Sequence, residues 1–218
     1  MRIFNPETSA YREIVAADPG RRLEVVLGDD RDAGAFYPQI KSEHFGNEAN
    51  FSMRLDDEDA AHATRTERGS DIEWRRGDRA VTFRRVAGPD AGAYDFEVLL
   101  TARPPADALA FTLRHKGLRA VFQPPLTASR AARGDAQDEG VAGSYVFWLA
   151  GRDGTTPSRD YRNGKAFHFY RPRATDSLGR QAWCDLMIDL VADTMSWTVP
   201  AAFLDAVAWA RGGSVSIK

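Results

Sequence analysis

Apolar residues recur at every second position along most of this chain, the spacing of strands that bury one face and expose the other. Leu23, Val25 and Leu27 keep this period, as do Phe51, Met53 and Leu55. The cleanest run is Tyr94, Phe96, Val98 and Leu100, and Leu109, Phe111, Leu113 and His115 continue it on the next segment. Ile72–Arg76 and Ala80–Val86 flank Gly77-Asp78, a turn dipeptide that predicts a hairpin. Ala120–Phe122 is a short strand. Residues 140–190 then read as three more: Tyr145–Leu149, Lys165–Arg171 and Gln181–Leu190. Asp176 to Arg180 is a turn, because Asp and Gly accept backbone angles that strand residues avoid. In Gln181–Leu190, Cys184, Leu186, Ile188 and Leu190 point one way, towards a core. Trp183, Asp185, Met187 and Asp189 point the other way. Ser196–Val199 and Ser214–Ile217 are further strands, and Pro200 opens a short helix carrying Phe203, Leu204 and Val207.

Other stretches break the period. Asn5-Pro6-Glu7 has the chemistry of a helix start, with an N-cap residue, Pro at the first helical position and an acid in the first turn. Residues 1–20 therefore read either as a short helix ended by Asp18-Pro19-Gly20 or as an extended arm that orders against a neighbour. Gly28 to Gly34 is a loop, and Pro89-Asp90-Ala91-Gly92 is a turn. Asp56–Ser70 is polar and of mixed charge, a surface loop. Thr127–Glu139 is small and polar, a second loop. About ten short strands with two minor helices at most predict an all-β antiparallel sandwich over residues 21–218, with a jelly roll as one version.

Composition narrows the setting. A length of 218 residues with 43% hydrophobic and 28% charged content suits one soluble domain with a proper core. The formal charge of −2 argues against nucleic acid as a partner. No apolar run approaches membrane-spanning length, so no membrane partner is expected. One cysteine, Cys184, allows no intrachain disulfide. The first ten residues show no export signal, which points to a bacterial cytoplasm or a particle assembled in one.

Candidate chemistry is sparse, and each candidate has a plainer structural use. Asp185 and Asp189 share a strand face, but four residues of strand separate them by roughly 13 Å. A glycosidase pair wants about 5–10 Å. Glu43, His44, Glu48 and His62 include metal-ligating types at no established spacing. His168 lacks an adjacent acid or nucleophile and reads as a hydrogen-bonded structural residue, as does His115. Cys184 falls on the core side. Arg133-Gly134-Asp135 matches an adhesion tripeptide by chance. No phosphate loop, nucleophile elbow, paired-cysteine motif or zinc helix is present. The expectation is no enzyme, no catalytic residue, no cofactor and no metal. Arg159, Tyr161, Arg162, Lys165, Tyr170, Arg171 and Arg173 interleave basic and aromatic residues, a pattern suited to a protein-contact surface.

Several fragments together carry a resemblance. They are Tyr37-Pro38-Gln39-Ile40-Lys41, Asn50-Phe51-Ser52 with Arg54-Leu55, Gln123-Pro124-Pro125-Leu126 and Gly143-Ser144-Tyr145, then Gly164 to His168 with Tyr170-Arg171-Pro172, and Trp183 before Asp185-Leu186. The set, spanning most of residues 37–210, resembles an uncharacterised β-rich family associated with the structural-gene regions of tailed bacteriophages. Trp197-Thr198-Val199-Pro200 with Phe203-Leu204 also resembles the close of β-sandwich modules in phage and bacterial surface proteins. Those continue into Tyr-Pro-Val, where this chain has Trp209-Ala210-Arg211. The resemblance implies a virion structural protein and carries over no catalytic residue. The expected role is a head decoration (cement) protein. It would contact the major capsid protein or other virion proteins and form a homo-oligomer, with a trimer favoured. The alternatives are a tail, baseplate or fibre component, and a carbohydrate-binding module or carbohydrate-active enzyme using Trp74, Trp148 and Trp183.

Overall fold

The computed structural model describes residues 2–5, 10–16, 22–27, 39–44, 48–56, 63–68, 71–86, 94–150 and 164–218. Within them the alternating sequence becomes strand. In chain order these are β1 (Arg2–Asn5), β2 (Ala10–Ala16), β3 (Arg22–Leu27), β4 (Ile40–His44), β5 (Ala49–Leu55), β6 (Thr64–Arg68), β7 (Asp71–Arg76), β8 (Arg79–Arg85) and β9 (Tyr94–Leu100). They continue as β10 (Ala108–Lys116), β11 (Leu118–Gln123), β12 (Ser144–Leu149), β13 (Lys165–Phe169), β14 (Arg173–Asp176), β15 (Gln181–Trp183), β16 (Asp185–Asp189), β17 (Thr194–Thr198) and β18 (Val215–Ile217). Two single-turn helices, α1 (Ala128–Ala132) and α2 (Ala201–Asp205), complete the regular elements with one 3₁₀ turn at Trp209–Arg211.

The fold is an all-β antiparallel sandwich. One sheet has eight strands in the order β1-β2-β3-β4-β5-β10-β17-β16. A second has seven, β15-β14-β18-β9-β8-β7-β6, and a third has three, β11-β12-β13. Strands β1 to β5 and β6 to β9 are meanders of sequence neighbours. The long-range pairs that close the sandwich are β10 with β5 and β17, and β18 with β9 and β14. The predicted hairpin is found, with Gly77 and Asp78 joining β7 to β8.

The predicted inward sides form one core. Phe96, Val98 and Leu100 of β9 face Leu109, Phe111 and Leu113 of β10, all buried. Aromatic rings run through it without a break. Trp74 meets Phe83 at 5.0 Å, Phe83 meets Phe96 at 5.1 Å, and Phe96 reaches both Phe111 and Trp197 at 5.8 Å. Phe169 links Trp197 to Phe51 at 6.3 and 6.2 Å. Phe51 then contacts Phe147 at 5.0 Å, which stacks on Phe167 at 4.4 Å. This last group fastens the three-stranded sheet to the eight-stranded one.

Several expectations are corrected. The first residues do not form a helix: β1 and β2 pair with each other, and β2 pairs with β3 from Tyr11↔Leu27 to Ala16↔Arg22. Tyr11, Ile14 and Val15 are strand-forming types, and a ladder to neighbouring strands on both sides outweighs one local cap signal. Residues 6–9 lie outside the described set. Thr64–Arg68, within the expected loop Asp56–Ser70, is an edge strand paired with β7. It has no apolar alternation because it lies at the sheet margin. The Thr127–Glu139 loop contains α1, whose N-cap Thr127 accepts from the Arg130 backbone N–H. Gln181–Leu190 is not one strand. Its first three residues pair with β14 in one sheet, and the residues after Cys184 pair with β17 in another. The loop at Gly28–Gly34 and the turn at Pro89–Gly92 lie outside the described residues.

Candidate functional site

The chain changes sheet at Tyr170-Arg171-Pro172, between β13 and β14, and again at Cys184. These two crossings lie together. The Cys184 N–H donates to the Pro172 carbonyl at 2.9 Å, and Arg171 Nε donates to the Cys184 carbonyl at 2.8 Å. Arg171 also pairs with Asp185 at 3.1 Å. A guanidinium suits this place because its fork satisfies a backbone carbonyl and a carboxylate at once. Its Cζ lies 6.0 Å from the Trp183 ring centre, and Arg173 Cζ lies 5.5 Å from it. The Trp183 indole N–H donates to Glu139 at 3.0 Å. Trp183 is thus clamped by two cations, a carboxylate and the Gly140 backbone, where an added Cβ would sit 3.3 Å from the ring.

Of the predicted contact set, Lys165 and Arg173 are exposed, Tyr170 is 60% exposed, and Arg171 is drawn into the crossing. Arg159, Tyr161 and Arg162 lie outside the described residues. The structural duty of Arg171 was invisible in sequence, because its two acceptors lie thirteen and fourteen residues away.

His168 finds a hydroxyl partner. Its Nε2 lies 2.6 Å from Ser144 Oγ, and Ser144 Oγ donates to the Val141 carbonyl at 2.7 Å. The hydroxyl has one proton, and the carbonyl takes it. His168 therefore donates through Nε2–H. That is the reverse of what a nucleophile and its base require. Ser144 is fully buried besides. Burial, and secondarily the Lys165 charge, push the His168 pKa down to about 4. The imidazole is expected to stay neutral to about that pH in an NMR titration. The unfolded value is about 6.5, so the unfolded chain takes up this proton first. Stabilisation from neutral His168 is complete above that unfolded value and declines as pH falls towards the folded one. His168→Gln should flatten this part of a denaturation-midpoint profile, and an unchanged profile would refute the assignment.

Other candidates are occupied by the fold. Cys184 is buried, and burial pushes its thiol up to about 12. Asp189 accepts the backbone N–H groups of Val191 and Ala192 in a turn. Glu43 lies on β4 and contacts Lys41 Nζ at 3.0 Å. His62 lies outside the described residues, and among those described no cluster of His, Cys, Asp and Glu could hold a metal. His115 Nε2 meets the Leu190 carbonyl at 2.8 Å. Asp135 of the Arg-Gly-Asp tripeptide pairs with Arg130 at 2.8 Å. Trp74 is a core residue, and Trp148 is half-buried. Among the described residues, no helix is long and apolar enough to cross a membrane.

Beside this corner the three sheets leave a half-open recess of about 210 Å³. Ile40, Phe51, Met53, Phe96, Phe169 and Trp197 make its apolar wall, and Ser42, Asp95, His168 and Tyr170 add polar groups. The His168 and Tyr170 rings stack 4.2 Å apart, at 20°. No family model matches this chain, and no curated protein or solved structure matches it.

Proposed function

We propose that this chain is a non-enzymatic structural protein of a tailed-bacteriophage particle, and within it a head decoration protein that cements the capsid lattice. One observation carries the contact surface. Tyr170 is 60% exposed yet fixed by stacking on His168, and it stands next in sequence to the anchored Arg171, with exposed Arg173 two residues on. An aromatic and a cation held in advance lose little entropy on binding, and both types are favoured at protein interfaces. Ser144, His168 and Cys184 are each engaged by the fold, which supports a binding role over nucleophilic chemistry. The virion setting rests on the resemblance of the motif set. The favoured assembly is a homotrimer, and weak single contacts would add up over a repeating lattice.

The test is quantitative mass spectrometry of purified particles from the source virus. A copy number comparable with that of the major capsid protein is expected. A few copies per particle would move the chain to tail, baseplate or fibre, and absence would overturn the reading. Tyr170→Ala with Arg173→Glu should lower occupancy while leaving the denaturation midpoint nearly unchanged.

A further inference from the structure

The seven-stranded sheet ends at β6, Thr64-Arg65-Thr66-Glu67-Arg68, and no described strand lies beyond it. Thr64, Thr66, Glu67 and Arg68 are all exposed. The direction of the β6 backbone follows from the β7–β8 hairpin. Its two-residue turn makes Arg76 and Arg79 a hydrogen-bonded pair. Alternation then directs the backbone groups of Asp71, Glu73 and Arg75 towards β6, where their partners are Arg68, Thr66 and Thr64. Arg65 and Glu67 therefore direct their N–H and C=O groups away from β7, along the sheet margin. The register with β7 is unbroken, and the strand has no proline, lysine or bulge, the common protections of an edge.

We infer that β6 pairs with β6 of a second copy of this chain, antiparallel about a two-fold axis at Thr66. The order of residues selects this partner. With the axis at Thr66, Arg65 stands opposite Glu67 of the second copy, and Glu67 opposite Arg65 of the second copy. Both positions direct their backbone to the margin, so they are the ones that exchange hydrogen bonds. Each facing pair is of opposite charge, and threonine facing threonine also suits adjacent strands. Moving the axis to Arg65 or to Glu67 sets like charges opposite each other, so charge fixes the register as well as the partner. Other strands at sheet margins lack this property. Self-pairing of β16 about Met187 sets Asp185 against Asp189, and self-pairing of β13 about Phe167 sets Lys165 against Phe169. A contact of five residues a side is small, so the pairing is weak and depends on concentration. It is distinct from the trimer favoured above, since a two-fold contact joins one trimer to the next. It stands whether or not the chain belongs to a particle.

The whole chain would be followed by sedimentation equilibrium, with amide hydrogen exchange read by NMR at low and high concentration. The unmodified chain should double in mass as concentration rises. The Arg65 and Glu67 amides should become protected as it does, while Thr64, Thr66 and Arg68, already bonded to β7, change little. Glu67→Arg sets Arg against Arg in both facing pairs, and Arg65→Glu sets Glu against Glu. Either change should weaken the association by about tenfold or more. A mixture of the two variants has opposite charges in both pairs again and should associate as the unmodified chain does. Mixing cannot rescue a chain that fails to fold, so this rescue separates the contact from a loss of structure. Glu67→Pro removes an N–H directed away from β7, so it should keep the ladder and block the pairing. An unmodified chain that does not associate at about 1 mM, the weak end of specific affinities, would overturn the inference. So would charge variants that associate as the unmodified chain does, or a mixture that stays apart.

Discussion

Phe51→Ala is expected to lower the unfolding free energy by about 3–5 kcal/mol, the range for deleting a buried aromatic ring. Phe51 is 5% exposed and touches three rings on the three-stranded sheet: Phe147 at 5.0 Å, Phe167 at 5.4 Å and Phe169 at 6.2 Å. Edge-to-face pairs add to the value of the buried area, so losing one ring weakens three contacts together. The damage should also be local. Hydrogen exchange should quicken more in β11, β12 and β13 than in β7, β8 and β9, whose rings pack on one another through Phe83 and Phe96. A midpoint shift with an unchanged denaturant slope would read the global loss. Uniform loss of protection across all three sheets would contradict the idea that Phe51 is the fastening.

Gly117→Ala is the second large effect. Gly117 joins β10 of the eight-stranded sheet to β11 of the three-stranded one, with φ at +62°. An alanine Cβ there would lie 2.8 Å from the Glu48 carbonyl oxygen and 3.5 Å from Ala49 Cα. The left-handed backbone alone costs about 1–2 kcal/mol for a residue with a Cβ. The contact falls on backbone, which cannot rotate away, so the total should reach about 3 kcal/mol, within the range for locally strained sites. Gly77→Ala is the control. Gly77 also has positive φ, at +54°, but an added Cβ meets nothing within 4 Å. Its cost should be the conformational part alone. Chemical denaturation of both variants separates the two contributions, and equal losses would show that the Glu48 contact relaxes freely.

Both effects depend on how segments distant in sequence meet, and this is where the sequence becomes silent. Strands β5, β9 and β10 were readable because each buries one face, and a period of two records that directly. The hairpin at Gly77-Asp78 was readable because its turn chemistry is local. Strand β6 left no such trace. Thr64–Arg68 contains no large apolar residue, and its place is set by pairing with β7. At the N-terminus a local signal pointed the wrong way, since the cap chemistry of Asn5-Pro6-Glu7 competes with a ladder to β3 that only the folded chain supplies.

The candidate site divides in the same manner. The sequence by itself determined that Tyr170, Arg171 and Arg173 interleave basic and aromatic types and that Cys184 turns inward. Those properties follow from residue type and alternation. Only the tertiary structure decided that Arg171 ties two sheet crossings together and that His168 meets Ser144, twenty-four residues away. It alone placed Trp197 in the wall of a recess, where its buried indole N–H has no acceptor among the described residues. The physical reason is that strand periodicity fixes which way a side chain points but not what it faces. Its partner is chosen by the register and stacking of sheets, in contacts between residues far apart along the chain.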